Sequence, residues 1–182
     1  FVAQGARVVI TGRREEPLAQ AVAVLGPAAS YRVHDVTQYD ASEPLIQSIE
    51  EQHGPLTALV NNAGNQIHSP AEDFSEEAMQ QILDVHLLGA FSLSRHSARR
   101  MMKRGQGSIL YIASMASLMG IPNVSAYAAA KTAQLGLVRT LAAEWSGRGV
   151  RINAIAPGWI LTEMSRIAFE NNPDRKAKVL GR

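Results

Sequence analysis

Residues 56–64 read LTALVNNAG, an apolar run that passes directly into two amides, an alanine and a glycine. The run Leu56–Val60 has the length and composition of a strand that is buried on both faces, as in a parallel sheet. After it, Ala63 and Gly64 permit a tight turn with close approach of the backbone to a ligand, and an ordinary turn explains them as readily. The stretch therefore predicts a buried strand whose carboxyl end carries a candidate binding turn.

Strand and helix patterns alternate along the rest of the chain. We predict strands near residues 7–11, 31–34, 56–60, 108–113 and 150–155, and helices near residues 15–24, 42–53, 75–104 and 125–145. Alternation at this spacing is typical of parallel βαβ units. The sequence therefore predicts an α/β fold with a doubly wound parallel sheet and helices on both faces, and residues 1–182 suit a single domain.

The composition limits the classes of function. The chain contains no cysteine, which excludes disulfides, thiolate nucleophiles and cysteine-ligated zinc, and which fits a cytoplasmic location. The formal net charge is +2 and the basic residues are dispersed, so we expect no nucleic-acid partner. Residues 105–130 carry no charge, but polar side chains interrupt the run, so we expect no membrane partner.

Three residues near the end of this uncharged run form a candidate catalytic group. Tyr127 and Lys131 lie four positions apart on the predicted helix 125–145 and therefore share a face. An ammonium beside a phenol lowers its pKa from about 10, which would let Tyr127 act as a general acid or base. Ser114 follows the strand 108–113, at the sheet edge where catalytic groups of open parallel sheets lie. An exposed helix face and a loop-capping serine would explain the same residues without chemistry.

Two further segments follow predicted strands. Asp35 comes directly after the strand 31–34, where its carboxylate either accepts from an adenine amino group or caps a turn. Pro157 and Gly158 follow the strand 150–155 and lead to Thr162.

These elements, in this order, resemble the short-chain dehydrogenase/reductase family in its single-domain branch. The matching pieces are Asp35, Asn61–Gly64, Ser114, Tyr127, Lys131, Pro157-Gly158 and Thr162. The segment 157–162 argues against the longer branch of epimerases and dehydratases, which shares the Tyr-x-x-x-Lys pattern. Within the family, the chain looks most like gluconate 5-dehydrogenases and 3-oxoacyl reductases.

The resemblance implies a Rossmann-type sheet that binds NAD(H) or NADP(H), and hydride transfer to or from a small carbonyl or secondary alcohol such as a keto-sugar acid or 3-oxoacyl compound. It implies that Tyr127 donates the proton in reduction, that Lys131 binds the nicotinamide ribose, and that Ser114 polarises the carbonyl. The cofactor-binding residues it implies are Asp35, Val36, Asn62, Ala63, Gly64, Tyr127, Lys131, Pro157, Gly158, Ile160 and Thr162. It requires no metal, and it implies a homodimer or homotetramer through helices 75–104 and 125–145.

One position departs from the family pattern. The family carries a fourth catalytic residue, an asparagine that helps to hold a proton-relaying water, and His86 stands in its place in the segment Asp84–Gly89. A neutral imidazole both donates and accepts, so it could sustain a relay. The alternative is a satisfied buried histidine in a non-catalytic dinucleotide-binding or regulatory protein of the same fold.

The glycine-rich phosphate loop is the second departure. The sequence lacks that loop, the first strand and the C-terminal strand of the family, so we expect the chain to be an internal portion of a longer protein. Cofactor choice then rests on the end of the strand 7–11, where Arg13 and Arg14 precede the first acid, Glu15. An arginine there suits the 2′-phosphate of NADP, so we expect NADP(H) rather than NAD(H), with Arg13 as the main contact.

Overall fold

The computed structural model describes residues 1–160. Within this range, five strands and five α-helices follow the order that the sequence predicts, and the single predicted helix 75–104 is present as two α-helices. The elements are β1 (Val8–Gly12), α1 (Glu15–Leu25), β2 (Ala29–Val33), α2 (Ser42–His53), β3 (Ala58–Asn61), α3 (Glu76–Leu83), α4 (Ala90–Arg104), β4 (Gly107–Ile112), α5 (Ser125–Trp145) and β5 (Val150–Ile155). The bounds of α5 and β5 agree with the prediction to the residue.

All strand pairs are parallel, which confirms the predicted α/β class. In the described range the strands form two sheets, β1-β2 and β3-β4-β5. Val8 lies opposite Ala29 in the first sheet, and Ile109 lies between Leu59 and Ile152 in the second. The doubly wound sheet expected from the sequence is thus present in the described range as two parallel parts, β1-β2 and β3-β4-β5.

The main hydrophobic core lies between the three-stranded sheet and the helices α4 and α5. Its buried members are Ala90, Ala98, Met101, Ile109, Tyr111, Leu141, Trp145, Val150 and Ile152. In β4, Ile109 and Tyr111 face this core because side chains alternate between the two faces of a strand. No helix within residues 1–160 is both long and apolar enough to cross a membrane.

The strand β3 is less buried than its composition predicts. Leu59 packs against the core, but Ala58 and Val60 are exposed. The prediction of burial on both faces is therefore wrong for the described chain. The physical reason is that α4 covers the face of Leu59 and Asn61, while the alternate side chains point to the opposite face of an edge strand.

A buried polar network fixes the carboxyl end of β3. The amide nitrogen Nδ2 of Asn61 donates to Ser94 Oγ at 2.8 Å, and the hydroxyl of Tyr111 donates to the same oxygen at 2.7 Å. Burial raises the pKa of Tyr111 to about 12, so the phenol remains a donor. The network joins β3, β4 and α4 where the turn 61–64 begins.

The predicted helix 75–104 contains a change of geometry. Ser75 caps its start by accepting from the Ala78 N–H at 3.1 Å, and Gly105 ends it with φ 67°. Between α3 and α4, residues Asp84–Gly89 form a π-helical segment, which the sequence pattern does not predict. Such segments often occur at functional sites, and this one carries His86.

Candidate active site

The structure brings Tyr127, Lys131 and His86 together. Tyr127 lies in the first turn of α5, and its ring meets the His86 ring edge-on, with centroids 5.3 Å apart at 89°. Lys131 Nζ lies 5.5 Å from the centroid of the same phenol ring. The pair at positions i and i+4 therefore shares one face, as predicted, and α5 places it against the π-helical segment.

Lys131 is buried, with 4% of its surface exposed. Its ammonium donates to the main-chain oxygen of Ile112 at 2.5 Å, which ties α5 to the end of β4. Burial lowers the pKa of Lys131 from 10.5 to about 8, because the charged form loses its water. The side chain is thus still mainly protonated at neutral pH, close to the ring of Tyr127.

Ser114 lies two residues after Ile112, in the loop at the carboxyl end of β4. Its Oγ accepts from the Ala116 N–H at 3.1 Å, which leaves the hydroxyl hydrogen to donate elsewhere. The next residue, Met115, donates its N–H to the Pro157 oxygen at 3.1 Å. The loop after β5 therefore lies beside Ser114, and a Cβ at Gly158 would meet Met115 Cγ at 3.7 Å.

His86 is 2% exposed, and its ring is held by Asn65. Nε2 lies 2.7 Å from the Asn65 oxygen and 3.2 Å from the Asn65 nitrogen. We assign the shorter contact as the hydrogen bond, with Nε2–H donating, because one tautomer cannot make both. Burial lowers the pKa of His86 to about 4; the Asn65 bond opposes this and the charge of Lys131 adds to it. The imidazole is therefore neutral near pH 7.

Gly64 packs directly against this imidazole. A Cβ at Gly64 would lie 2.7 Å from His86 Cε1, closer than real Cβ contacts. From the sequence, a glycine at position 64 is explained by close approach of a ligand or by an ordinary turn. The structure gives a different reason for the glycine: the backbone of the turn after β3 packs against the ring of His86, which leaves no room for a side chain.

A cleft of about 190 Å³ lies at the carboxyl ends of β1 and β2, beside the turn after β3. Five of the residues predicted to bind a cofactor line it: Arg13, Asp35, Val36, Ala63 and Gly64. Five further lining residues are not predicted from the sequence: Thr11, Gly12, His34, Asn65 and Val85. The predicted residues Arg14 and Asn62 are exposed and do not line this cleft.

Asp35 is held in the ionised form in this cleft. Its Oδ1 accepts from the Thr37 N–H at 2.9 Å and from the Thr37 hydroxyl at 2.8 Å. The backbone hydrogen bond is the largest cause that lowers the pKa of Asp35, and the positive charge of Arg13 contributes in the same direction. The cleft thus combines a fixed carboxylate with a nearby guanidinium.

Two residues predicted to bind the cofactor are not among those that line the cleft. Ile160 is exposed at the end of the described range, and Thr162 lies outside the described residues. In residues 1–160, no three His, Asp or Glu side chains are grouped so as to hold a metal ion.

Gln134 is a residue of this region that the sequence does not single out. It lies on α5, is 1% exposed, and donates from Nε2 to the main-chain oxygen of His86 at 2.6 Å. The one feature of the sequence that could have drawn attention to Gln134 is that it is a polar residue, three positions after Lys131, in a helix rich in alanine and leucine. Without the fold, nothing in that pattern pairs it with His86.

The chain is similar to known dehydrogenases over most of its length. It is 37% identical over 164 residues to gluconate 5-dehydrogenase of Gluconobacter oxydans, covering 88% of this chain and 64% of that protein. It is 39% identical over 136 residues to the 3-oxoacyl-[acyl-carrier-protein] reductase MabA of Mycobacterium avium, covering 75% and 53% respectively. The chain thus spans just over half to about two thirds of these relatives.

Solved structures of dehydrogenases share the fold of this chain. The structure of a gluconate 5-dehydrogenase from Burkholderia cenocepacia, in complex with NADP and tartrate, matches with a TM-score of 0.84 and 33% identity. The match covers 94% of this chain and 71% of that one. The family model described as short chain dehydrogenase matches residues 1–173. With the Tyr127–Lys131 pair lying beside the end of β4, these matches show that the chain belongs to the short-chain dehydrogenase family.

Proposed function

We propose that the protein is an oxidoreductase that interconverts a carbonyl compound and its secondary alcohol with a nicotinamide cofactor. The observation that carries this proposal is the contact of the Tyr127 ring with the Lys131 ammonium and the neutral His86 imidazole. A phenol between a cation and a neutral donor–acceptor suits proton transfer.

Each residue of the group has a distinct role in this proposal. In reduction, the Tyr127 hydroxyl donates a proton to the carbonyl oxygen, and in oxidation the phenolate takes the proton back. The positive charge of Lys131 stabilises that phenolate. Ser114 donates its remaining hydrogen to the same substrate oxygen, and His86 exchanges protons through a neutral ring.

The cleft beside Asp35 fits the adenosine end of a dinucleotide. Its lining includes the small residues Ala63 and Gly64, the Asp35 carboxylate and Arg13. When bound, the cofactor supplies the hydride in reduction and accepts it in oxidation. We propose NADP(H) rather than NAD(H), supported by Arg13 in the cleft and by the NADP complex of the Burkholderia relative.

The substrate class is proposed from the relatives. Gluconate 5-dehydrogenase is named for a hydroxyl-bearing sugar acid, and the reductase MabA is named for a 3-oxoacyl group, which contains a ketone. In this chain, the Ser69 N–H donates to the Asn123 oxygen at 3.1 Å, which joins the loop after β3 to the loop before α5. We propose that these loops border the substrate, and that α3, α4 and α5 form the interface of a homodimer or homotetramer.

Tyr127→Phe tests the catalytic proposal. The substitution removes the proton donor and keeps the ring, so kcat for NADPH-dependent reduction of a carbonyl panel should fall by about 100-fold or more. Binding of NADPH, measured by fluorescence titration, should persist. Tyr31→Phe is the matched control, since its hydroxyl binds the exposed Glu15 side chain and lies away from Tyr127.

Wild-type protein that binds NADPH but reduces nothing across a panel of keto-sugar acids, 3-oxoacyl thioesters and simple ketones would contradict the proposal. That result would favour the alternative, a non-catalytic dinucleotide-binding protein in which His86 has replaced the catalytic asparagine of the family and the activity is lost.

Arg13→Asp tests the cofactor preference. Loss of a charge-assisted contact to the 2′-phosphate, with reversal of its charge, should weaken NADPH by about 10- to 100-fold. NADH lacks that phosphate, so its affinity should change by less than about threefold. Arg14→Asp provides the comparison, because Arg14 does not line the cleft and should affect NADPH less. Equal weakening of both cofactors by Arg13→Asp would refute the assignment.

A further inference from the structure

The main-chain oxygen of His86 accepts a hydrogen bond from a different helix. Gln134 Nε2, on α5, donates to it at 2.6 Å, across 48 positions of sequence. Both residues are at most 2% exposed, so no water competes for this bond. The bond therefore joins α5 to the π-helical segment 84–89 at the residue that faces Tyr127.

The geometry of the segment explains why this oxygen is accessible. A π-helical turn is wider than an α-helical turn, and it shifts the hydrogen-bond register by one residue. A donor from outside the helix can bind a carbonyl where the regular α-helical hydrogen-bond pattern is interrupted in this way. Gln134 supplies that outside donor.

His86 is consequently held at both ends. Asn65 binds Nε2 of the ring, and Gln134 binds the main-chain oxygen. Between these two contacts the ring packs edge-on against Tyr127 and against the bare face of Gly64. A small displacement of the His86 backbone would therefore move the ring relative to the phenol.

Packing alone does not account for a glutamine here. Gln134 Oε1 is buried and has no partner among residues 1–160, a situation that costs free energy. A leucine or methionine would fill a similar volume without that cost. The amide is thus best explained by the bond that its nitrogen makes.

We propose that Gln134 is a positioning residue, which holds the π-helical segment so that the His86 ring faces Tyr127 and Gly64. This inference rests on the proposed function, because it assigns Gln134 a part in proton transfer at Tyr127. It concerns placement alone, since Gln134 contacts His86 and not the reacting atoms.

Gln134→Met tests the inference, since methionine keeps the length and burial but lacks the donor. Misplacement of the ring should lower kcat by about 10- to 100-fold, while KM for NADPH changes by less than about twofold. The ring-nitrogen NMR signals of His86 should shift, because the ring leaves its contact with Asn65. The control is Ser42→Ala, which removes a buried hydrogen bond to Ser92 away from Tyr127 and should leave kcat and the His86 signals unchanged.

A double-mutant cycle with His86→Ala separates this role from a merely structural one. If Gln134 acts through the imidazole, Gln134→Met should lower kcat by less than about twofold once the ring is absent. The same 10- to 100-fold loss in both backgrounds would overturn the inference and would point to an effect through Lys131. Melting temperatures measured in parallel show that each variant is folded.

The NMR readout keeps this inference distinct from the proposed function. If the wild type reduces no carbonyl, the proposed catalytic function fails and the ring signals alone decide the placement. Signals that shift in Gln134→Met but not in Ser42→Ala support positioning by Gln134. Signals that are unchanged in Gln134→Met overturn it, whatever the activity.

Discussion

Lys131→Met is expected to lower turnover by about 100-fold or more and, at pH 7, to make the protein more stable. The buried ammonium is costly, because the difference between its ordinary pKa of 10.5 and about 8 corresponds to about 3 kcal/mol at 1.36 kcal/mol per pKa unit. Methionine fills the site without charge but leaves the Ile112 oxygen without its donor, which costs about 1–2 kcal/mol. The net gain is about 1–2 kcal/mol, a rise in Tm of about 5 °C.

The stability that Lys131→Met gains over the wild type should decrease as the pH rises. Below pH 8, Lys131 is protonated in both states and the folded state bears the desolvation cost. Between pH 8 and 10.5 the unfolded chain holds more protons, so the stability of the wild type rises with pH. Above pH 10.5 both states are neutral, and only the lost hydrogen bond to Ile112 separates the two proteins. The stability order should therefore reverse between pH 8 and 10.5.

Denaturant unfolding of both proteins at pH 7, 9 and 10.5 measures this reversal. Lys103→Met is the matched control, because Lys103 is exposed at the end of α4 and should change stability by less than about 0.5 kcal/mol. Carbonyl reduction should fall by about 100-fold or more in Lys131→Met only. A Lys131→Met protein that is less stable than the wild type at pH 7 would show that the buried charge is not costly.

Gly64→Ala is expected to cost about 1–3 kcal/mol of stability and at least about tenfold in turnover. The backbone of Gly64 is not in the left-handed region, so alanine is compatible with its conformation. The loss arises because the new Cβ would lie 2.7 Å from His86 Cε1, and that ring is confined by Tyr127 and Asn65. Chemical denaturation and carbonyl reduction measure the two effects.

His86→Ala provides the test of that cause. With the ring removed, Gly64→Ala should cost less than about 0.5 kcal/mol, because the three atoms nearest to the new Cβ all belong to that ring. Gly147→Ala is the matched control, since a Cβ there has no neighbour within 4 Å and no left-handed backbone to strain. If Gly64→Ala destabilises the protein equally with and without the His86 ring, the loss of stability does not arise from contact of the new Cβ with that ring.

Secondary structure was predictable because its determinants are local. Ser75 and Gly105 mark the ends of the helical stretch 75–104, and the β-rich run 150–155 forms a strand with the predicted bounds. The spacing of Tyr127 and Lys131 places them on one face in any α-helix. The π-helical segment 84–89 was not predictable, because its sequence is compatible with an ordinary helix and a contact from α5 accompanies the change of register.

By itself, the sequence determined the order of strands and helices, the parallel α/β class, and the carboxyl-edge location of Ser114. These follow from periodicity, turn residues and chain order. Only the tertiary structure decided that His86 meets Tyr127, that Gly64 makes room for His86, and that Gln134 binds the His86 carbonyl. Each of those contacts joins residues 22 to 48 positions apart on different elements, so it depends on how helices and sheet pack, which no local pattern encodes.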